Sequence, residues 1–159
     1  MPAIASHLRL RLARLLALGL PAVLLGGAYV SEYGFGLHPC EMCWWQRWAH
    51  FAALGLALVA WVWRASAAPV WLAGLAILVA GLIGGFHAGV EYGWWQGLTA
   101  CTSAFPAGGD PLKSIFAAPI VRCDVAPWSL FGVSLAGWNF LFSVAGALAI
   151  FALLKGRKP

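Results

Sequence analysis

The sequence predicts an all-α membrane protein: a four-transmembrane-helix bundle with two outward-facing, cysteine-bearing loops and both termini in the cytoplasm. Three observations support this fold class. Of the 159 residues, 62% are hydrophobic and only 9% are charged, whereas soluble domains have roughly 45–50% and 25%. Four long stretches are apolar, and basic residues gather beside one set of their ends. This composition excludes an ordinary soluble domain, and it excludes a disordered chain, which needs low hydrophobicity and high charge.

The four apolar stretches are residues 12–30, 44–63, 70–90 and 130–154. Each has about the 20 residues that a helix needs to cross the hydrocarbon core of a bilayer. They are apolar around every turn, which favours helices, since the alternative in lipid is a closed barrel of short alternating strands. The second stretch contains Arg47 and His50 near its start, and the third contains His87. We expect residues 1–159 to form a single membrane domain.

The orientation of the bundle follows from its charges. All five acidic residues and all four cysteines fall in two segments, residues 31–43 and 91–127. Under the positive-inside rule these segments face outward, and the termini and the short second turn face the cytoplasm. The same placement explains the net charge of +5 without a nucleic-acid partner. Most basic residues lie on the inner side: Arg9, Arg11, Arg14, Arg64, Lys155, Arg157 and Lys158.

A cleaved secretory signal peptide is the alternative interpretation of the first stretch, because basic residues precede it and small residues lie near its end at 26–28. Its apolar run is longer than the roughly 7–15 residues of a signal peptide, which favours a spanning helix. Cleavage would leave the sidedness of the other stretches unchanged.

The cysteines form two pairs in sequence. Cys40 and Cys43 make a CEMC motif at the outer mouth of the second helix, and Cys101 and Cys123 lie in the second outer loop. Disulfides persist on the outward face of a membrane, so we expect two redox pairs. Two inert structural crosslinks are the alternative, but a two-residue gap closes a small loop with little chain entropy to remove. The same spacing is common among thiols that cycle.

We expect no metal in this protein. Four cysteines could hold zinc, yet structural zinc sites favour two short-spaced pairs, and 21 residues separate Cys101 from Cys123. A haem or a transported metal would need ligands inside the bundle, where only His50 and His87 offer imidazoles.

The surroundings of the CEMC motif indicate electron transfer. Pro39 predicts that the second helix begins near Cys40 or Glu41, which puts Cys43 in the first turn, where the helix dipole favours a thiolate. Arg47 lies one turn deeper on the same face. A cation within a membrane span is costly, which suggests a functional role for Arg47. The alternative is that its side chain extends to the membrane interface. With the ring of Trp44, thiolate and cation suit a planar, lipid-soluble, two-electron acceptor such as a quinone.

Three segments carry a family resemblance: HPCEMCWWQRWAHF, GVEYGWWQGLTACTS and RCDVAPWSLFGVSLAGWNF. They resemble the disulfide bond formation protein B (DsbB) family over about residues 12–151. The resemblance implies an enzyme of the bacterial inner membrane, a thiol oxidase that uses ubiquinone or menaquinone. Its implied partner is a periplasmic thioredoxin-fold protein of the DsbA type, which it reoxidises so that disulfide bond formation continues.

The resemblance also assigns roles to residues. Cys40 and Cys43 match the quinone-side pair, with Cys43 facing the quinone, and Arg47 matches the family's quinone-contacting arginine. Cys101 and Cys123 match the partner-side pair, in which Cys101 forms the mixed disulfide with the partner. Exchange between the pairs would pass through a transient disulfide between Cys40 and Cys123. Weaker candidates for quinone contact are Trp44, His87 and Glu91.

Two other functions stay open. One is a structural membrane protein with two inert disulfides, and the other is a related thiol oxidase dedicated to a single partner. The vitamin K epoxide reductase type of bundle fits less well, because its CxxC motif lies near a later helix. In the second loop, Leu112, Ile115 and Phe116 stand at helical spacing and could form a short interfacial helix or pack as loop.

Overall fold

The computed structural model describes residues 2–63, 65–99, 102–103 and 120–156. Four long helices dominate it: α1 (Pro2–Tyr29), α2 (Glu41–Val62), α3 (Ala68–Glu91) and α4 (Leu135–Lys155). Helix α3 packs against α2 and α4, and α1 completes the bundle by packing against the same two helices. The predicted mainly helical architecture is confirmed for this part of the chain.

Three helical segments within the described residues are long and apolar enough to cross a membrane: Ser6–Gly34, Ala68–Glu91 and Leu135–Lys155. Helix α2 is not among them. Its first half carries the polar side chains of Gln46, Arg47 and His50, all buried within the bundle, and they lower its apolar character.

The helix ends differ in places from the predicted ones. Helix α1 begins well before residue 12 and continues as a π-helical turn, Val30–Gly34, into the segment predicted as loop. Helix α2 begins at Glu41, as Pro39 predicted, with Cys40 as its N-cap. Helix α4 begins at Leu135 rather than at residue 130, because a hairpin precedes it.

That hairpin pairs β3 (Ser129–Leu130) with β4 (Val133–Ser134). Its turn residues Phe131 and Gly132 have φ values of 53° and 77°, which is the left-handed conformation that tight hairpin turns require. Ser134 then caps α4 by accepting a hydrogen bond from the Gly137 N–H at 3.1 Å. A second short pair joins β1 (Thr102–Ser103) to β2 (Ile120–Val121). The candidate interfacial helix of Leu112, Ile115 and Phe116 lies outside the described residues.

The core at the basic end of the bundle is built from small and aliphatic side chains. At this end an Arg9 Nη donates to the Gly156 carbonyl across 2.9 Å, so the start of α1 and the end of α4 meet there. The ends of α1 and α4 that carry Arg9 and Lys155 therefore lie away from the start of α2, which carries Cys40, Cys43 and Arg47. The buried members of this core are Ala13, Ala17, Ala53, Ala57, Ala60, Val70, Ala73, Ile77, Ala147, Ile150 and Leu154.

Candidate functional site

The N-terminus of α2 positions the first cysteine pair. Cys40 accepts a hydrogen bond from the Cys43 N–H at 3.4 Å, and the two Sγ atoms lie 3.2 Å apart as thiols. The hydrogen bond to Cys43 and burial together raise the pKa of Cys40 to about 12. Cys40 therefore keeps its proton at neutral pH, and Cys43, at the positive end of the helix dipole, is the sulfur that ionises first.

The last two turns of α3 bring His87 and Glu91 to this pair. The Nε2 atom of His87 lies 3.5 Å from Cys40 Sγ, and Glu91 Oε1 lies 3.7 Å from the same Nε2. Both side chains are almost fully buried. Glu91 Oε2 has no hydrogen-bond partner within the described residues, although Ser134 lies beside the carboxylate. The structure thus places both weak candidates of the sequence analysis next to the dithiol.

A chain of side-chain amides supports His87 from behind. Gln46 Nε2 lies 3.0 Å from His87 Nδ1, and Gln46 Oε1 accepts from Asn139 Nδ2 at 2.8 Å. Asn139 Oδ1 in turn lies 2.9 Å from His50 Nε2. If Gln46 donates to Nδ1, the neutral ring carries its proton on Nε2, facing Cys40. This network links α2, α3 and α4.

Sequence reasoning missed Gln46 and Asn139. Each is a lone polar residue in an apolar stretch, which predicts that the side chain faces the bundle interior. Their partners depend on close helix approach. Gly84 permits it, since a Cβ at that position would lie 2.9 Å from the Ala136 carbonyl oxygen and 3.1 Å from Gln46 Oε1.

Arg47 is buried, with 5% of its surface exposed, so it does not snorkel to the interface. Its guanidinium forms an ion pair with Glu32 and donates to the Ala28 carbonyl at 3.2 Å. The rings of Tyr29 and Trp44 cover it, with centroids 4.8 and 5.0 Å from Cζ. The π-helical turn after α1 is what carries Glu32 to this position. Sequence reasoning missed Glu32. The signal that could have found it is that Glu32 follows the first apolar stretch and Arg47 lies near the start of the second, so both were predicted at the outer side.

A cavity of about 350 Å³ opens between the helices beside these groups. Apolar residues from α1 and α4 form much of its wall. Such a lining with a few converging polar groups is typical of sites for small organic ligands. Trp44 is not among the described residues that line it, although its ring covers Arg47, which does. The polar and sulfur-bearing lining residues include Cys43, Gln46, Arg47, His50, His87, Glu91 and Asn139.

Cys123 is buried against the first turn of α2, in one cluster with Cys40, Met42 and Val90. The Thr99 hydroxyl donates to its Sγ at 3.3 Å, and burial raises the pKa of Cys123 above its ordinary value. The structure therefore brings Cys123 to the CEMC pair. Cys101 lies outside the described residues, so the pairing of Cys101 with Cys123 stays a prediction.

A family model described as disulfide bond formation protein DsbB matches residues 10–153. The chain belongs to the DsbB family. A disulfide bond formation protein B of Verminephrobacter eiseniae is 33% identical to it, covering 92% of this chain and 86% of the relative. One from Azoarcus sp. is 35% identical over 86% of this chain and 87% of the relative. An uncharacterized protein, RP370, of Rickettsia prowazekii is 25% identical over 86% of this chain.

No solved structure matches the chain significantly. Membership of the DsbB family, with three helices able to cross a membrane, makes this chain a membrane protein of disulfide bond formation. In this DsbB family member, three of the four cysteines, Cys40, Cys43 and Cys123, lie together at one end of the bundle.

Proposed function

We propose that this protein is a quinone-dependent thiol oxidase that reoxidises a periplasmic thioredoxin-fold partner of the DsbA type. Electrons would enter at Cys101 and Cys123, pass to Cys40 and Cys43, and leave to a quinone of the membrane. The observation that carries the proposal is the position of Cys43. Its sulfur belongs to a close dithiol and also lines an apolar cavity together with a buried arginine.

The cavity residues fit a quinone. Its apolar walls suit a lipid-soluble ring, and Arg47 and His87 supply the donors that quinone oxygens require. A quinone bound there would supply a two-electron, two-proton acceptor. Arg47 is suited to stabilise negative charge because Glu32 and the Ala28 carbonyl hold its side chain in place. The choice between ubiquinone and menaquinone is left open by this chemistry.

The first exchange occurs in the second loop. A partner thiolate attacks Cys101, forming a mixed disulfide and releasing Cys123 as the leaving group. The second partner thiol then attacks the mixed disulfide, so the partner leaves oxidised and the loop pair is reduced. Two electrons have moved from the partner to Cys101 and Cys123.

The second exchange joins the two pairs. Cys123 attacks Cys40 of the oxidised CEMC motif, and Cys43 leaves as a thiolate stabilised by the N-terminus of α2. Cys101 then attacks Cys123, which restores the loop disulfide and releases Cys40. His87 is placed to give Cys40 its proton, since Nε2 lies 3.5 Å from that sulfur. Burial of Cys123 beside Cys40 supports this route.

In the membrane, we propose that α2 is the fourth spanning helix, with its polar half turned toward the other three. The cysteine end would face the periplasm and the basic end the cytoplasm of a bacterial inner membrane. A reporter fused after Pro159 should then be cytoplasmic, and a periplasmic reporter would contradict this orientation.

Turnover of the purified protein tests the proposal. A reduced thioredoxin-fold oxidase should be oxidised only when quinone is added, with two thiols lost per quinone reduced. Absence of turnover with intact thiols would favour a structural membrane protein with inert disulfides. A panel of thioredoxin-fold partners separates a general oxidase from one dedicated to a single partner.

A further inference from the structure

The dithiol, His87 and Glu91 form a cluster whose geometry has a second use. The ligand atoms of Cys40, Cys43 and His87 all lie within 4.8 Å of one another. Glu91 adds a buried carboxylate on the same side, and its Oε2 atom has no hydrogen-bond partner within the described residues. We propose that the reduced protein binds one Zn²⁺ through Cys40, Cys43, His87 and Glu91, and that this site disappears when the dithiol is oxidised.

The distances among Cys40, Cys43 and His87 are close to those of a tetrahedral zinc site. Zinc bonds of about 2.3 Å to sulfur and about 2.0–2.2 Å to nitrogen or oxygen separate neighbouring ligand atoms by about 3.3–3.8 Å. The sulfurs of Cys40 and Cys43 are 3.2 Å apart. His87 Nε2 lies 3.5 Å from Cys40 Sγ and 3.7 Å from Glu91 Oε1. Glu91 lies outside the group of ligand atoms that are all within 4.8 Å of one another, so its carboxylate must turn toward the sulfurs to complete the shell.

The chemistry of the donors also suits zinc. Two thiolates, one imidazole and one carboxylate together give a soft, anionic set that zinc prefers over calcium or magnesium. Gln46 lies on the other ring nitrogen of His87. Zinc on Nε2 puts the ring proton on Nδ1, so the side-chain amides of Gln46 and Asn139 must both reverse for Gln46 to accept this proton and fix the ring. A site of this composition is not visible in the sequence, because it depends on the approach of α3 to the CEMC motif.

Zinc binding is linked to redox state. Both sulfurs bind as thiolates, so protons leave the thiols as the metal enters. A Cys40–Cys43 disulfide has no thiolate to offer and cannot bind. The zinc form in turn holds both sulfurs away from electron transfer, so zinc should inhibit quinone-dependent turnover. Inhibition rests on the proposed function, whereas binding does not.

Zinc titration of the full-length protein in detergent tests the site, with a chromophoric chelator as competitor. We expect the reduced protein to bind one Zn²⁺ and the oxidised protein to bind none. His87→Ala should weaken binding by more than about 100-fold, beyond the roughly 10–100-fold cost of losing an outer-shell partner. Glu91→Gln should weaken it less. The matched control is His50→Ala, which removes the imidazole at the far end of the amide network and should retain zinc.

X-ray absorption of the wild-type zinc form identifies the ligands without any variant. Two sulfur and two nitrogen or oxygen neighbours are expected, whereas three or four sulfurs would overturn the site. Cys123→Ser should bind zinc as the wild type does, and loss of binding there would favour a site built from more cysteines. Equal binding by oxidised and reduced protein would also overturn the proposal. Because binding is measured directly, its result stands apart from any failure of quinone turnover.

Discussion

The two ends of this bundle are built from the same four helices but on different principles. At the basic end, small and aliphatic side chains fill the interior. At the cysteine end, the helices enclose a cavity of about 350 Å³ and bury five polar or charged side chains from α2 and α3: Gln46, Arg47, His50, His87 and Glu91. Buried polar groups are costly unless they are partnered, so their concentration at one end marks where the bundle does chemistry.

Helix α2 shows the contrast within one element. Its second half places Ala53, Ala57 and Ala60 in the apolar core. Its first half turns Met42, Gln46 and His50 to the same interior at the cysteine end. The helix thus holds the bundle together with one half and carries the site with the other.

Changing one side chain at each end gives the sharpest contrast. Cys43→Ser should abolish quinone-dependent oxidation of the partner, because a hydroxyl cannot form the disulfide. Ile77→Ala, in the fully buried apolar core, should lower the unfolding temperature through lost packing contacts while the folded fraction keeps its turnover rate. Turnover assays and thermal unfolding in detergent measure the two effects. Comparable loss of turnover per folded molecule in both variants would erase the distinction between the ends.

Within the cysteine end, the two pairs should separate by role. Cys123→Ser leaves Cys101 as a single thiol, and its thiolate should attack the disulfide of an oxidised partner, which forms a Cys101–partner mixed disulfide and releases the partner's second sulfur as a thiolate. A non-reducing gel would show the adduct. Capture of the partner at Cys40 instead would reverse the proposed order of exchange.

Arg47→Met should raise the Michaelis constant for quinone by about 10–100-fold, the cost of about 1.5–3 kcal/mol for a hydrogen bond to a charged group. Methionine keeps much of the stem but loses the charge and donors. Exchange between partner and loop pair should stay near the wild-type rate, since it occurs elsewhere. Arg47→Lys should fall between the two, because it keeps charge without the planar donors. A wild-type rate for Arg47→Met at limiting quinone would move the acceptor site away from this residue.

Two glycine substitutions test how closely α3 must approach α4. Gly84→Ala puts a Cβ 2.9 Å from the Ala136 carbonyl oxygen and should destabilise the bundle by about 1–3 kcal/mol. Gly55→Ala is the matched control, because its Cβ meets nothing within 4 Å and alanine is the better helix former. Denaturant or thermal unfolding measures both. Equal stability of the two variants would show that α3 and α4 do not depend on close approach at Gly84.

Much of the fold could be predicted because lipid leaves helices as the main solution for long apolar stretches. Pro39 also fixed the start of α2, and with it the position of Cys43. Other features depend on geometry that composition does not contain. Asn139 in an apolar stretch predicts an inward side chain but no partner, and Glu32 reaches Arg47 only because a π-helical turn follows α1.

The hairpin before α4 was missed for a different reason. Residues 130–134 were included in the fourth predicted apolar stretch. The turn within them consists of only two residues, Phe131 and Gly132. The prediction therefore followed the length of the apolar stretch and missed the turn at Gly132.

The central claim is that the Cys40–Cys43 dithiol gives its electrons directly to a quinone held at the cysteine end. The most direct test uses a Cys101→Ser/Cys123→Ser double variant, in which only the CEMC pair remains. The reduced protein is mixed with quinone without oxygen, and remaining thiols are counted by the mass shift on alkylation. We predict loss of both thiols with one quinone reduced per protein. Thiols that persist while quinone stays oxidised would contradict the claim.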